Sequence, residues 1–581
     1  MSNERRHPNH TAPRNGANLR NGNRIRNGTQ ISNRNRPTNG NRLPNGRRPS
    51  HGNSPPNGGR PRNGYGTRNG MGNSTRRDDT YDFPAMSETA AFASSSMPVW
   101  KKAGLIISGV QFLISLILIL LIVNLNVLPT GLFLVVFSII FLLWALPFVA
   151  MITARKKAKA IVGKVISVFA ILVLLYGINL VWQGARTLDE VAGDDFIVTF
   201  ENIVVAVLID DQAESIQDAA EYTFGVQFAT GGDSIRSMIE SLNEELETTI
   251  WFSEFNSVLE QGEALINGQV RAIIYNQAFN GVLEERIPGF TGSIRVLGSK
   301  QIATETANPA VDIEMGVDPF VVYISGLDEY GPIETSGLSD VNILMVVNPS
   351  THQILLVNTP RDYYVPFPGV SGGARDKLTH AGVFGVQTSM ATLAELYGVD
   401  VPFYVKVNFT SMMQIVDAMG GIEVYSEQSF VRGDLFVSQG WNFFNGAQAL
   451  TFSRERKLLD GGDFQRGRNQ QAVITGMMRR AMSPAVLTRA NDILSSVSGS
   501  MSTSMTTGQI QDVIRNQLDG NPSWNVKSVA AEGWIDNRAG FTMPGEPLSM
   551  VIPDEGSVAR IREQIAAVMA GEILPGGETL E

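Results

Sequence analysis

Charged and amide side chains in the second half of the chain recur beside predicted strand ends, where they could bind a phosphorylated ligand. The candidates are Asp328, Asp340, Arg361, Lys377, Arg454, Arg456, Asp463, Arg466, Arg468 and Gln470. Arginine forks bind phosphate oxygens bidentately, and two carboxylates can hold a Mg²⁺ that bridges pyrophosphate oxygens. Such a set would support phosphoryl transfer, which needs positioning and charge neutralisation more than a Ser/His nucleophile.

The same side chains could instead form surface ion pairs, as charged loop residues usually do. Arg454 and Arg456 favour the functional interpretation, because residues two apart on a predicted strand project to the same side. His380 is interpreted as structural and is left out of the candidate site. The chain has no cysteine, which excludes disulfides, thiolate nucleophiles and cysteine-ligated metals.

Apolar runs predict the elements that must position these residues. Strands are predicted at 203–209, 270–275, 320–326, 341–347 and 353–358, and helices at 234–246, 385–397 and 410–418. The elements at 203–209, 234–246 and 270–275 predict a small α/β domain at 195–310. The later strands alternate with helices, which predicts an α/β/α layered core.

Three long apolar segments precede both domains and predict three transmembrane helices within 100–184. They run over 103–128, 131–151 and 160–182, and each has about the 20 residues that a hydrocarbon core requires. Basic residues precede the first segment and fill the loop between the second and third. The positive-inside rule therefore predicts a multi-pass cell-membrane protein, in contact with membrane lipids, with its C-terminal domains outside the cell.

The N-terminal tail, residues 1–95, is rich in Arg, Asn and Gly. Residues 1–80 contain 16 Arg, no Lys and 3 acidic residues. With almost no apolar surface, the tail is predicted to be disordered and cytoplasmic. It could bind anionic lipid headgroups or RNA, or only set topology and solubility. Nucleic acid is disfavoured, because Tyr65 alone is interleaved with the repeats.

Seven segments within 318–485 form a pattern that resembles a known family. The segments are SDVNIL (339–344), TPRDYYVP (359–366), DKLTHAG (376–382), VNFT (407–410), GGIEV (420–424), RER (454–456) and RGRNQQ (466–471). In this order and spacing they resemble the LytR–CpsA–Psr (LCP) family, in particular its streptococcal capsule type with an accessory domain. The resemblance implies an LCP catalytic domain at 318–485, an accessory domain at 195–310 and a C-terminal extension at 486–581.

The resemblance also implies a Mg²⁺-dependent phosphotransferase of a Gram-positive-type envelope. It would move a glycopolymer, either polysaccharide or teichoic acid, from polyprenyl pyrophosphate to peptidoglycan, with capsule-synthesis proteins as partners. By the family pattern, Asp328 and Asp340 would hold the metal, and Asp340, Arg361 and Asp463 would be catalytic. The phosphate-binding residues would be Arg361, Lys377, Arg454, Arg456, Arg466, Arg468 and Gln470.

One departure from the family pattern lies at Leu338, where the family usually has Arg before Ser-Asp. If position 338 faces phosphate, Leu338→Arg should tighten pyrophosphate binding. Two other functions remain open: a non-enzymatic membrane regulator of polysaccharide synthesis or transcription, and hydrolysis of the lipid-linked donor. Deleting residues 1–95 would distinguish the regulator from a transferase. Signalling by a regulator would fail, whereas glycan attachment by a transferase would survive.

Overall fold

The computed structural model describes residues 97–193, 196–308, 313–327, 337–483, 501–545 and 547–580, together with 493 and 496. The predicted tail and Asp328 lie outside the described residues. Three N-terminal helices are long and apolar enough to cross a membrane: α1 (Val99–Leu125), α2 (Thr130–Ile152) and α3 (Lys157–Val191). Asn126, in the left-handed conformation, ends α1 and begins the short turn to α2.

A five-stranded sheet follows the membrane helices. Its strands are β1 (Phe196–Leu208), β2 (Thr223–Val226), β3 (Trp251–Glu254), β4 (Ala272–Asn276) and β5 (Ile294–Ala307), in the spatial order β3-β2-β4-β1-β5. Its helices are α4 (Gly232–Glu245), α5 (Val258–Ile266), α6 (Asn280–Arg286) and α7 (Phe290–Ser293). Ile203 and Val205 pack with the α4 side chains, whereas Val204 packs with those of α5. Burial on both faces explains why β1 has a continuous apolar run.

The remaining elements build the larger subdomain. The strands are β6 (Phe320–Leu327), β7 (Ser339–Asn348), β8 (Gln353–Asn358), β9 (Tyr364–Pro366), β10 (Arg375–Lys377), β11 (Phe403–Asn408), β12 (Ile422–Ser426), β13 (Phe430–Arg432), β14 (Leu435–Val437), β15 (Gly440–Phe444), β16 (Met501–Thr503), β17 (Trp524–Ala530), β18 (Gly533–Ala539), β19 (Pro547–Pro553) and β20 (Glu578–Leu580). The helices are α8 (Leu378–Ala381), α9 (Val386–Tyr397), α10 (Phe409–Ala418), α11 (Gly446–Arg454), α12 (Gly462–Met482), α13 (Thr507–Leu518) and α14 (Glu555–Met569).

A mixed seven-stranded sheet in the order β16-β11-β6-β7-β8-β17-β20 forms the centre of this subdomain. One face, which includes Tyr323 and Leu344, packs against α9 and α14. The other face, which includes Val322 and Ile343, packs against α12. The α/β/α layering predicted from the sequence is therefore present.

The C-terminal region completes the central sheet. β17 pairs in parallel with β8, and β20 pairs with β17. Residues predicted to form an extension after 485 thus supply two adjacent strands of the same sheet as β6, β7 and β8. Strand pairing between distant segments is decided by packing, so local sequence patterns alone do not assign these residues to the central sheet.

Candidate active site

A buried polar network fixes the start of β7, where Asp340 lies. The Tyr323 hydroxyl donates to Oδ1 of Asn342 at 2.7 Å, and the Asn342 amide donates to the Ser339 carbonyl at 2.8 Å. Ser339 Oγ also lies 2.9 Å from Ser325 Oγ. Because each of these buried groups has a partner, the network holds the backbone beside Asp340 rigidly.

Arg361 and Asp340 form the centre of the site. β7 and β8 are antiparallel, so the start of β7 lies beside the end of β8, and Arg361 follows that end three residues later. The Arg361 guanidinium donates to both carboxylate oxygens of Asp340, at 2.9 and 3.1 Å. Burial opposes the positive charge, but Asp340 and Asp362 outweigh it and raise the pKa of Arg361.

Lys377 is the second cation of the cluster, and its side chain is only 4% exposed. Its ammonium lies 3.3 Å from Asp362 and 2.7 Å from Glu285. Glu285 belongs to α6 of the five-stranded subdomain, 92 residues away in sequence. Burial acts to raise the pKa of Glu285, but the hydrogen bond and charge of Lys377 prevail and lower it. The first subdomain therefore contributes a carboxylate to this site.

The N-terminal half of α12 supplies the remaining charged residues of the site. Asp463 and Arg466 form an ion pair at 2.6 Å, and Arg466 and Gln470 are both buried. Residues 463, 466 and 470 share one helix face. Burial, reinforced by Asp362 and Asp340, raises the pKa of Asp463, although Arg466 and Arg361 oppose this.

Gly467 allows this close approach of α12 to β8. A Cβ atom at Gly467 would lie 2.1 Å from Nδ2 of Asn358, at the end of β8. A larger residue would force either the Asn358 side chain or α12 to move, and movement of α12 would displace Arg466. Close packing of α12 on β8 thus explains the Gly between the two arginines of the RGRNQQ segment.

Arg468 is not brought together with Arg466. Residues two apart on a helix are about 200° apart, so they point to opposite sides. Arg468 donates instead to Glu427 at 2.9 Å and to Gln465. It lines a separate cleft with Trp441 and Arg479.

The predicted strand through Arg454 and Arg456 is wrong. Arg454 is the last residue of α11, with its guanidinium 4.2 Å from the centre of the Phe409 ring. The Glu455 carboxylate accepts hydrogen bonds from the backbone amides of residues 456, 457 and 458, which turns the chain. Arg454 and Arg456 are both exposed, and the two-residue periodicity of a strand does not apply to them.

A second buried cluster is centred on Asp376, which precedes Lys377 on β10. Asp376 contacts Nδ1 of His380 at 2.9 Å and accepts two hydrogen bonds of 2.7 Å from Thr542. Burial disfavours the Asp376 carboxylate, but His380 and Thr542 outweigh it and lower its pKa. The structural role predicted for His380 therefore agrees with its position.

Leu338 packs against the first subdomain instead of facing phosphate. It joins the apolar cluster formed by Val282, Leu283 and Val383, and a Cβ atom at Gly281 would lie 2.5 Å from its Cδ1. The expectation that Leu338→Arg tightens pyrophosphate binding assumed an open position. Apolar packing occupies that position instead.

The site contains carboxylates, which are the side chains that Mg²⁺ prefers as protein ligands. In the part of the chain that the structure describes, no group of three or more His, Cys, Asp or Glu is already arranged around a metal position. However, Oδ1 of Asp362 and Oδ1 of Asp463 are buried, and the partners they contact are cations, Lys377 at 3.3 Å and Arg466 at 2.6 Å. Mg²⁺ takes one or two protein carboxylates and keeps several waters. Asp340, Asp362 and Asp463 are therefore ligands of the type that this ion takes. Each is paired with a cation in this structure, and a bound ion would displace those contacts.

Sequence reasoning missed Asp362 and Glu285. Asp362 follows Arg361 in the TPRDYYVP segment, so its proximity to the site was available from the sequence. Glu285 carries no local signal, because only the packing of α6 against the larger subdomain brings it to Lys377. Asp328 remains a prediction outside the described residues.

An α/β/α layered domain presents arginines, a lysine and carboxylates at one end of its sheet, a combination that suits a phosphorylated ligand. The LytR_cpsA_psr family model matches residues 295–552. A relative in Enterococcus faecalis is 31% identical over 252 residues, which are 43% of this chain and 79% of the relative. The chain belongs to the LytR–CpsA–Psr family.

A second relative and a solved structure also match this chain. A relative in Bacillus anthracis is 34% identical over 203 residues, which are 35% of this chain and 66% of the relative's length, just under two thirds. Both relatives are named polyisoprenyl-teichoic acid–peptidoglycan teichoic acid transferase TagU. The crystal structure of Bacillus subtilis TagU matches with 27% identity and a TM-score of 0.35, over 44% of this chain and 100% of that one.

Proposed function

We propose that the chain is a membrane-anchored phosphotransferase that moves a glycopolymer from polyprenyl pyrophosphate onto peptidoglycan. One observation carries the proposal: Arg361, Lys377 and Arg466 converge with three aspartates at one end of the central sheet. Fixed cations and carboxylates in a largely buried site are what phosphoryl transfer requires. The names of the relatives support teichoic acid as the polymer, and capsule polysaccharide stays a prediction.

The proposed reaction displaces one phosphate of the donor. The acceptor hydroxyl oxygen forms a bond to the phosphorus that carries the glycan, and the bond from this phosphorus to the bridging oxygen breaks. Polyprenyl phosphate leaves, and the hydroxyl proton passes to a carboxylate. Arg361 and Lys377 would neutralise the charge on the phosphate oxygens as it moves to the leaving group.

Asp463 is the best-placed acceptor for the proton. Burial and the neighbouring aspartates raise the pKa of Asp463, and a raised pKa makes a carboxylate a stronger base. Mg²⁺, held by Asp340 and Asp362, would neutralise further charge on the pyrophosphate. Asp463 would then be free of Arg466 once the phosphates engage that arginine.

The topology is also part of the proposal. Lys101 and Lys102 lie in the first turn of α1. Arg155 and Lys156 lie between α2 and α3, and Lys157 and Lys159 lie in the first turn of α3. These basic residues favour a cytoplasmic location for the corresponding helix ends. Both α/β subdomains would then lie outside the cell, beside the peptidoglycan. Protease added to cells stripped of their wall should digest the chain after α3 and leave residues 1–95 intact. Digestion of the tail with protection of the subdomains would contradict this orientation.

The test of the activity is transfer of labelled polyprenyl-pyrophosphate glycan to peptidoglycan by the full-length chain in liposomes. We expect wall-linked label with Mg²⁺, and loss of at least about 100-fold with chelator, with Arg361→Ala or with Asp340→Ala. Arg560→Ala is the matched control, because Arg560 lies on α14 with its side chain 62% exposed.

Each outcome decides between the candidate functions. Wall-linked label that survives both site variants would refute the assignment of the site. Donor binding without transfer under any condition would support the regulator, and release of free polymer without attachment would support hydrolysis.

A further inference from the structure

A cleft on the far side of α12 from the Arg361 cluster combines exposed aromatic rings with paired charges. Its volume is about 280 Å³, and its walls come from the β12–β15 pair, α12, β17 and β20. Tyr425 and Trp441 lie directly opposite each other on β12 and β15. They are 49% and 56% exposed, so both rings offer apolar surface to solvent.

The aromatic rings are held in place by surrounding side chains. Tyr425 and Trp441 contact each other edge to face, with ring centres 5.5 Å apart. The Arg479 guanidinium lies 4.6 Å from the centre of the Trp441 ring and pairs with Glu578 of β20. Exposed rings that are already ordered lose little entropy when a ligand binds to them.

The polar groups of the cleft provide hydrogen-bond donors and acceptors side by side. Arg468 pairs with Glu427 at 2.9 Å, and its side chain remains 38% exposed. Gln465 and Asn469 lie at the base of the cleft, 3.2 Å apart. Flat rings beside mixed donors and acceptors suit a sugar, whose C–H faces stack on aromatics while its hydroxyls hydrogen-bond.

The position of the cleft separates it from the membrane anchor. The chain leaves α3 beside β16, where the Gly193 amide donates to the Met505 carbonyl at 2.8 Å. β16 is one edge of the seven-stranded sheet, whereas β17 and β20 form the other. With strands about 4.8 Å apart, the cleft edge lies roughly 24 Å from the anchored edge. The cleft therefore lies away from the point where the chain leaves α3.

The cleft and the Arg361 cluster are connected through α12. Asp463 and Arg466 point to the cluster, while Gln465 and Arg468 point to the cleft. A polymer in the cleft therefore passes within one helix width of the phosphate-binding residues. The acceptor of the transfer must approach that point, because its hydroxyl attacks there.

We propose that this cleft binds the glycan strand of peptidoglycan, the acceptor, with a sugar ring stacked on Trp441 and Tyr425. The inference rests on the proposed transferase function. Arg468 then contacts the acceptor instead of the donor phosphates. This role is consistent with its position on the opposite side of α12 from Arg466.

The test compares Trp441→Ala with Trp534→Ala in the full-length chain. Trp534 is 55% exposed on β18 and does not line the cleft, so it matches Trp441 in type and exposure. We expect Trp441→Ala to raise the acceptor KM by about tenfold, with much smaller change in kcat or in donor affinity. Trp534→Ala should leave the acceptor KM at the wild-type value.

A binding measurement without donor keeps this inference separate from the proposed function. Soluble uncrosslinked peptidoglycan oligosaccharides should bind the wild type and Trp534→Ala, and bind Trp441→Ala about tenfold more weakly, by calorimetry. This result would stand even if no transfer occurred. Equal binding by all three proteins would overturn the inference. Loss of donor affinity or of vesicle binding in Trp441→Ala would also overturn it, in favour of the donor polymer or a membrane.

Discussion

The contact between Glu285 and Lys377 predicts that stability and donor affinity respond in opposite directions to one substitution. Glu285→Gln keeps the shape of the side chain and removes its charge. In the native chain Glu285 accepts a hydrogen bond of 2.7 Å from a lysine that is 4% exposed. Asp362, at 3.3 Å, remains as the partner of Lys377 after the substitution.

The stability change follows from the lost charge-assisted hydrogen bond. Such a bond contributes about 1.5–3 kcal/mol, and exposure of 45% of the Glu285 side chain lowers this to about 1–2 kcal/mol. Burial acts to raise the pKa of Glu285, but Lys377 outweighs burial and lowers this pKa in the folded state. The stabilisation is therefore present above the unfolded pKa and is lost at lower pH. The difference between wild type and Glu285→Gln should therefore disappear as the pH falls below about 4.

Donor affinity should rise in Glu285→Gln. A phosphate bound to Lys377 would lie roughly 6 Å from the Glu285 carboxylate, about two hydrogen-bond lengths. Repulsion between unit charges at this distance is about 0.7–1.4 kcal/mol at a dielectric constant of roughly 40 to 80, or about three- to tenfold in affinity.

The assay is calorimetric titration with a short-chain prenyl pyrophosphate, together with urea denaturation at about pH 4 and pH 7. Glu263→Gln is the control, because Glu263 is exposed on α5 of the same subdomain. Weaker donor binding by Glu285→Gln would show that Glu285 orients Lys377 for phosphate, and would refute the competition between the two anions.

Three further substitutions test the buried groups of the site. Asp463→Asn should raise the Tm of the metal-free protein at about pH 7 and reduce the increase caused by Mg²⁺. The raised pKa of Asp463 means that its ionisation costs stability as the pH rises, and thermal melts across about pH 4–8 measure this. Asp376→Asn should destabilise the fold by about 3–5 kcal/mol above about pH 4, by urea denaturation, because it removes the buried charge and replaces one of the two oxygens that contact His380 and Thr542 by an amide donor. Gly467→Ala should cost about 1–3 kcal/mol by the same measurement and weaken donor binding, since its Cβ would clash with Asn358.

Elements with a strong local signal could be predicted from the sequence. The three apolar segments form α1, α2 and α3, and the runs at 320–326 and 353–358 form β6 and β8. In these segments apolar burial and local propensity favour the same structure. The convergence of Arg361 with Asp340 was predictable too, because adjacent strand ends bring flanking residues together.

Features that depend on packing between distant segments could not be predicted. β17 joins β8 although more than 160 residues separate them, and Glu285 reaches Lys377 from another subdomain. The direction in which Arg468 points could not be predicted without knowing whether its segment forms a strand or a helix. Residues two apart lie on the same side of a strand but not of a helix.

The two subdomains share one apolar cluster, and this determines how Glu285 can act. Val282 and Leu283 of α6 pack with Val383 and Met543 of the larger subdomain, and all four are buried. Exposing side chains of this size costs about 1.5–3 kcal/mol each, so separation of the subdomains is disfavoured. The side chain of Glu285, by contrast, is partly exposed and can rotate without moving α6. Rotation of this one side chain, not a domain movement, would therefore suffice to end the contact of Glu285 with Lys377 when a phosphate binds.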